Sequence, residues 1–380
     1  MSSLIAPGLA SLLALSSLQP ADMDQTTFAT YNTSLNRPSA GQLITDLSTP
    51  DDAQAQAIAT VIQHTRPDVI VLNEFDYDAG GEAVANFQRN YLEKSQAGHE
   101  PIHYEYTFIA PVNTGVDSGL DLDGNGKLGD PGDAWGFGTH PGQYGMVILS
   151  TKPIDTTSAR TFQNLTWNSM PNNRLPYEFY GENADKLRLS SKSHWDVPVT
   201  VDGRTVHLLV SHPTPPSFDG PEKRNKLRNA DEIRLTADYI AGGERADWIV
   251  DDNGQRGGLA PGSDFVVFGD QNSDPNDGDN SGDTGINQIL NLPQVHDPQP
   301  TSSGAQAAGN TGHVTDPALD TADFPEPSPG NLRVDYVLPS TSLNVVDTGV
   351  FWPAEGEPLA ELMTAEKTSD HHLVWATITG

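Results

Sequence analysis

Residues 265–272 read FVVFGDQN, and the fold turns on how this octapeptide is taken. Four successive large apolar residues are too few for a helix, and the β-branched pair Val266-Val267 favours a strand buried on both faces. The run stops at Gly269, and Asp270, Gln271 and Asn272 then place polar side chains at the strand exit. The same figure recurs in both directions along the chain. Residues 28–31 (FATY) lead into Asn32, residues 69–72 (VIVL) deliver Glu74, and residues 144–150 (YGMVILS) form another strand. Two runs, 197–201 (VPVTV) and 204–210 (RTVHLLV), flank Asp202-Gly203, a strong hairpin signal, and the second arm ends at Ser211-His212-Pro213. Strands over 334–338 and 373–378 bracket Ser369-Asp370-His371.

Helices fall between these runs. Ala53, Ala57, Val61 and Ile62 recur at helical spacing, opened by Ser48-Thr49-Pro50 and closed by Arg66-Pro67. A charged helix over 221–241 is closed by Gly242-Gly243, which suit a left-handed C-terminal cap. No fixed-period repeat is present. Short apolar strands alternating with helices define an α/β layering. Ligands in such folds gather where strands end, so Asn32, Glu74, His212, Asp270, Asn272 and His371 are expected to converge on one cleft. Taken singly, each is as well read as an ordinary surface residue. Their repetition at strand ends carries the functional reading.

The 380 residues suit one domain over 25–380 with insertions near 113–141 and 273–329, both rich in Gly and Asp. The second insertion starts beside Asn272 and is expected to wall or cover the cleft. Lys and Arg number 21 against 51 Asp and Glu, a formal charge of −30. That field repels polyanions and draws cations, although acidity also serves solubility alone. With no cysteine, disulfides, thiolate catalysis and Cys-ligated metals are excluded. Residues 1–24 hold a short apolar stretch but no Lys or Arg, so the basic start of a signal peptide is missing. They read as the remnant of an export signal, with the protein secreted or periplasmic. No uncharged apolar run approaches the roughly 20 residues of a membrane-spanning helix.

In this order, the segments Thr30-Tyr31-Asn32, Leu72-Asn73-Glu74, Tyr144-Gly145-Met146, Ser211-His212-Pro213, Gly269-Asp270-Gln271-Asn272, Arg333-Val334-Asp335-Tyr336 and Ser369-Asp370-His371 resemble the endonuclease/exonuclease/phosphatase family, which shares the fold of pancreatic-type deoxyribonuclease. The resemblance spans most of the chain. It implies a four-layered α/β/β/α sandwich: two mixed, mostly antiparallel sheets packed face to face with helices outside. It also implies a divalent-metal-dependent hydrolase of phosphoric esters. Glu74 would be the principal ligand of Mg²⁺ or Mn²⁺, with Asn32 close by and Asp370 adding charge. His371 would take a proton from the attacking water while Asp335 holds its tautomer. His212 would bond the phosphate or protonate the leaving oxygen. Asp270 and Asn272, two apart on an extended segment, would orient water and phosphate from one side.

Arg333 has two readings, a phosphate clamp or a structural partner for an acidic neighbour, and Tyr144 is a candidate substrate contact. His372 should point away from the site. Basic loops for a nucleic-acid backbone are scarce: Lys192 and the cluster Lys223, Arg224, Lys226 and Arg228 are the obvious ones, and the cluster reads as a solvated helix face. The substrate is thus expected to be a small or lipid-linked phosphoester and the protein a monomer. Extracellular cleavage of DNA or RNA is the alternative, and a catalytically dead, calcium-stabilised binding module a third. Residues 121–133 resemble the first half of a calcium loop. Asp121, Asp123, Asn125 and Lys127 alternate along it, with Asp130 and Asp133 near the place where Gly132 replaces the usual final carboxylate. A structural Ca²⁺ is expected there; Trp135 and His140, which follow the loop, could line the entrance, although a Trp more often serves packing.

Overall fold

The computed structural model describes residues 24–379; the expected export-signal remnant lies almost wholly outside them. Among the described residues eleven strands form two sheets. They are β1 (Gln25–Asn32), β2 (Val69–Asn73), β3 (Tyr106–Phe108), β4 (Met146–Ser150), β5 (Arg160–Thr161), β6 (His194–Val201), β7 (Arg204–Ser211), β8 (Asp264–Asp270), β9 (Asp335–Pro339), β10 (Asn344–Val350) and β11 (Val374–Thr379). One sheet runs β10-β11-β1-β2-β4-β3 and the other β5-β6-β7-β8-β9. Neighbours are antiparallel except β1 with β2 and β7 with β8. Each parallel pair is joined by a helical crossover, Ala53–Thr65 and Arg224–Ala241 respectively, because parallel strands cannot be linked by a tight turn.

The alternation along β8 shows how the layers pack. Val266 and Phe268 face the other sheet, where Phe268 meets Phe28 of β1 with ring centroids 6.0 Å apart. Phe265 and Val267 face outward, against Ile233, Leu235 and Ile240 of the helix Arg224–Ala241. Both faces are dry, which is why the strand reads as an unbroken apolar run. On the far side, Ile58, Val61 and Ile62 of the helix Ala53–Thr65 belong to the inner core. The result is the expected α/β/β/α sandwich.

Several local expectations are corrected. The first crossover helix is capped by Asp52, whose carboxylate accepts from the Ala55 amide at 2.8 Å, and not by Ser48 or Thr49. The chain turns once more before the helix starts. Strand β10 was not legible: most of its residues are half or fully exposed at the sheet edge, so it lacks a continuous apolar signal. The short β3 and β5, three and two residues long, were missed for want of length. The helix predicted over 221–241 begins only at Arg224.

Candidate active site

Strand pairing alone brings the polar exits together. Asn32 of β1 pairs with Asn73 of β2, and Asp270 of β8 pairs with Asp335 of β9. The two sheets are stitched at this end by the Asp270 amide donating to Asn73 Oδ1 at 3.3 Å. Gly269 is required by close approach. A Cβ there would lie 2.0 Å from the Ser211 carbonyl oxygen, and its φ is +121°. Three exits then turn sharply: Ser34, Glu74 and Asn272 all hold positive φ, at 49°, 57° and 50°. Strain of this kind persists where surrounding contacts over-determine it. Asn272 is therefore not on an extended segment, and the two-apart argument fails; its amide donates to Asp270 Oδ1 at 2.8 Å and its side chain to the Pro213 carbonyl at 3.1 Å.

The centre of the site is a chain of titratable groups. His371 Nδ1 lies 2.8 Å from Asp335 Oδ2, which also accepts from Thr321 Oγ1 at 2.8 Å. On the other side of its ring, His371 Nε2 is 3.6 Å from Asp270 Oδ2, and His212 Nε2 is 3.4 Å from that same oxygen. All four residues are buried. Burial would lower His371, but the carboxylates of Asp335 and Asp270 hold it well above the usual histidine value. Burial pushes Asp335 up to about 6 against the pull of His371. Asp270 is drawn below the ordinary carboxylate range; burial alone would raise it, and the charges of His371 and His212 win. His212 is lowered by burial and by Lys192 nearby. Ser369 fixes the loop from behind: its hydroxyl accepts from the His371 amide at 3.1 Å and meets Ser34 Oγ at 3.0 Å.

Glu74 sits on the opposite lip. Its two oxygens accept from the amides of Asn32 at 3.2 Å and Asn36 at 2.9 Å, and no Lys or Arg pairs with it among the described residues. Asn32 turns its amide nitrogen toward Glu74 and Asp270 and its oxygen to the Ser34 amide. Asp370 lines the same cleft as Glu74, Asp270 and His371. Several carboxylates without a paired guanidinium or ammonium fit a hard divalent cation held through oxygen. Asp270, Asp335 and His371 also place ligand atoms within 4.8 Å of one another. The His371–Asp335 hydrogen bond engages His371 Nδ1 and Asp335 Oδ2, so this trio is read as a dyad with a neighbour, and Glu74, on the cleft lining, is the better anchor for metal.

Beneath the site lies a buried polar layer that sequence reasoning misassigned. The basic cluster was read as a solvated helix face, which holds for the exposed Lys223 and Lys226, but Arg228 is buried, as are Asn229 and Glu232. Arg228 donates to the carbonyls of Leu189, Ser190, Arg188 and Trp135 at 2.7–3.0 Å. Asn229 donates to the Thr214 and Gln271 carbonyls. Glu232 accepts from the Ser191 and Thr214 amides at 2.6 and 2.7 Å. One helix face thus holds the loops that carry Lys192, His212 and Asn272. Lys192, first seen as a candidate backbone contact for nucleic acid, is itself buried. Burial lowers its ammonium while Glu232, Glu74 and Asp270 pull it up. The only sequence hint was helical spacing: Arg228 and Glu232 are four apart, and Asn229 lies beside Arg228.

Other candidates fall elsewhere. Arg333 is 2% exposed and bonds Asp297 through both terminal nitrogens, so its structural reading is the one the geometry matches; it offers nothing to a phosphate. Tyr144 is half-buried, its amide bonded to Asp76; burial, then Glu74 and Asp76, raise its phenol. His372 points away and stacks on Trp352 at 3.9 Å. Trp135 packs on Arg188 and His140 bonds the Arg37 carbonyl, away from the cleft entrance. In the 121–133 loop, Asp121, Asp123 and Asp133 converge. Lys127 contributes its amide to Asn125, and Asp130 accepts from Asn125 and the Gly132 amide. The second insertion does wall the cleft, through Asp274, Asp277, Phe324 and Pro325 among others.

A two-sheet sandwich with a His–Asp dyad facing a carboxylate lip across one cleft defines a class of hydrolase acting on phosphoesters. The family model described as "Endonuclease/Exonuclease/phosphatase family" matches residues 29–371, and the chain belongs to that family. A search of curated proteins returned no match. Among solved structures, an endonuclease/exonuclease/phosphatase from Beutenbergia cavernae is 18% identical with a TM-score of 0.50, covering 93% of this chain and 71% of that one. TDP2 from C. elegans is 14% identical with a TM-score of 0.45 over 95% and 77%. Beta toxin from Staphylococcus aureus, in a form with bound magnesium ions, is 14% identical with a TM-score of 0.46 over 93% and 99%. Among the described residues no helix is long and apolar enough to cross a membrane.

Proposed function

We propose that the protein is a phosphodiesterase or phosphomonoesterase for small or lipid-linked phosphoesters, dependent on Mg²⁺ or Mn²⁺. The observation that carries this reading is the dyad: Asp335 fixes His371 Nδ1 at 2.8 Å, which leaves Nε2, 3.6 Å from Asp270 Oδ2 and so not hydrogen-bonded to it, to meet a water in the cleft. In its neutral form, which the carboxylates of Asp335 and Asp270 make a stronger base than an ordinary imidazole, that nitrogen takes the water proton as the water oxygen bonds phosphorus. The bond from phosphorus to the leaving alcohol breaks, and the departing oxygen is protonated from solvent. Asp335 stabilises the imidazolium that forms. His212, kept neutral by burial and Lys192, donates an N–H to a phosphoryl oxygen and is no strong acid. Lys192 supplies positive charge from below, and the Asn272 side chain limits how the phosphate can sit. Glu74 with Asp370 would hold the divalent cation, Asn32 standing beside it; such a cation polarises a phosphoryl oxygen and neutralises transition-state charge.

The charge of −30 and the engagement of Arg228 and Arg333 inside the protein argue against a dedicated nuclease, since backbone binding is built on free Lys and Arg. The experiment compares a chromogenic phosphodiester, the matching monoester and plasmid DNA, each with Mg²⁺, Mn²⁺ or chelator, using wild type and His371→Ala. Metal-dependent turnover of the small esters that drops by about 10²-fold or more in the variant is expected. Turnover independent of metal, or unaltered in His371→Ala, overturns the reading, and efficient salt-sensitive plasmid cleavage replaces it with the nuclease.

A further inference from the structure

Resting on the proposed phosphoesterase reading, we propose that the wall opposite the catalytic lip seats an uncharged apolar substituent of the ester, and that Phe218, Phe324 and Leu332 set this preference. The cleft, about 570 Å³, joins Glu74, Asp270 and His371 to these three residues. Phe324 stands edge-on to the His371 ring, with centroids 5.3 Å apart and planes at 81°. An apolar surface therefore begins in direct contact with the catalytic imidazole.

Phe218 is the stronger sign. It is 94% exposed and holds φ of 60°, a conformation that a bulky side chain rarely adopts. Both flanks are fastened: the Ser217 carbonyl accepts from Asn225 at 2.8 Å, and the Asp219 carboxylate accepts from the Asn225 and Lys226 amides at 2.6 and 3.0 Å. The chain holds a large apolar ring out over the cleft at some conformational cost, which suits a ligand surface rather than a packing role.

Charge narrows the occupant. Among the described residues no Lys or Arg lines the cleft, whereas Asp279 does, beyond the Glu74 and Asp370 assigned to the cation. Asp274 and Asp277 also face it, but their oxygens are committed to backbone amides of Arg333 and Thr315. Away from the metal-holding lip, a substituent bearing a second negative charge would meet carboxylates with no Lys or Arg beside them. The chemistry selected is a phosphodiester carrying an alkyl or aryl group, not one carrying further phosphates or carboxylates.

The test uses p-nitrophenyl alkyl phosphodiesters with a common leaving group: methyl, propyl, butyl, and butyl ending in a carboxylate. For wild type, kcat/KM rises roughly two- to fourfold per methylene and falls at least about tenfold when the terminal carboxylate is added. Phe218→Ser cuts the butyl-to-methyl ratio by about threefold or more, and Phe218→Trp restores it. Because Phe218 is exposed, thermal melting of both variants matches wild type. A flat chain-length dependence, or a ratio unaltered in Phe218→Ser, overturns this inference while the phosphoesterase reading stands. Absence of turnover with every ester and metal removes both.

Discussion

Replacing Asp335 by Asn removes one charge from the dyad and almost no volume. In the wild type the Asp335 carboxylate accepts the Nδ1–H of His371 at 2.8 Å and the Thr321 hydroxyl at 2.8 Å. An amide can keep both contacts only by presenting its NH₂ to one of them. If it donates to His371 Nδ1, the imidazole proton moves to Nε2, and the nitrogen facing the cleft is no longer a base. If it donates to Thr321 instead, the amide oxygen still orients the ring, but no charge stabilises the imidazolium. The analogous change in serine-protease triads costs about 10⁴-fold in kcat through the wrong tautomer; the second arrangement alone costs about 10²-fold, since only charge stabilisation is lost. The expected loss in kcat is therefore between about 10² and 10⁴, with KM nearly unaltered because Asp335 is fully buried and cannot touch substrate. Steady-state kinetics on a chromogenic diester, beside a thermal melt confirming the fold, measures it. A folded variant retaining kcat within about tenfold of wild type would refute the role given to the dyad.

Further expectations follow from other parts of the molecule. Chelation should abolish turnover and Mg²⁺ restore it, while Glu74→Gln should raise the metal concentration needed by more than about tenfold, read by titrating activity and by calorimetry. Lys192→Met should lower kcat/KM by about 10²-fold and, since the buried Glu232 carboxylate then loses this cation, lower the melting temperature as well. Arg228→Ala removes the donor from the Leu189, Trp135 and Arg188 carbonyls, while Ser190 keeps Asn113, and should destabilise by about 3 kcal/mol, close to 4 °C for a chain of this size. Asp320 gives a pH test. Burial pushes its carboxyl up to about 7 from 3.8, despite the amide of Asn310. A raised acid binds its proton more tightly in the folded state, so stability falls as pH climbs from about 4 to about 7 and stays reduced above. Asp320→Asn should raise the melting temperature at pH 8 and lose that advantage by pH 4; an equal effect at both values contradicts the assignment.

What could be read from sequence was what burial writes into it. The central strands β2, β4, β7 and β8 are covered on both faces, so each is a run of apolar residues, and each polar residue at an exit stands out by contrast. Asn32, Glu74, His212, Asp270 and His371 were found this way, and the sandwich brings them together. Edge strands carry no such contrast: β10 alternates only weakly and was invisible. The hidden polar layer failed for the opposite reason. Arg228 and Glu232 look like a surface pair because charged residues are rarely buried; only the loops wrapped over the helix, with their carbonyls and amides turned inward, make burial tolerable. The pattern of a helix face reports its period and says nothing of whether backbone from 100 residues away will come to cover it.

That layer bears on how so acidic a protein can handle a phosphate. A solvent-exposed cation near the cleft would be screened by salt and outnumbered by surface carboxylates. Lys192 is instead buried under the site, within reach of the fields of Glu74, Asp270 and Glu232, where a single charge acts through a poorly screened medium. Glu232 cannot simply be exchanged for a neutral residue, because its two oxygens tie the Ser191 and Thr214 amides together and so fix Lys192 relative to His212. The cation and the carboxylate that balances it therefore form one device: the helix Arg224–Ala241 holds the loops that carry ammonium and imidazole, and on the proposed phosphoesterase reading the phosphate would lie between them.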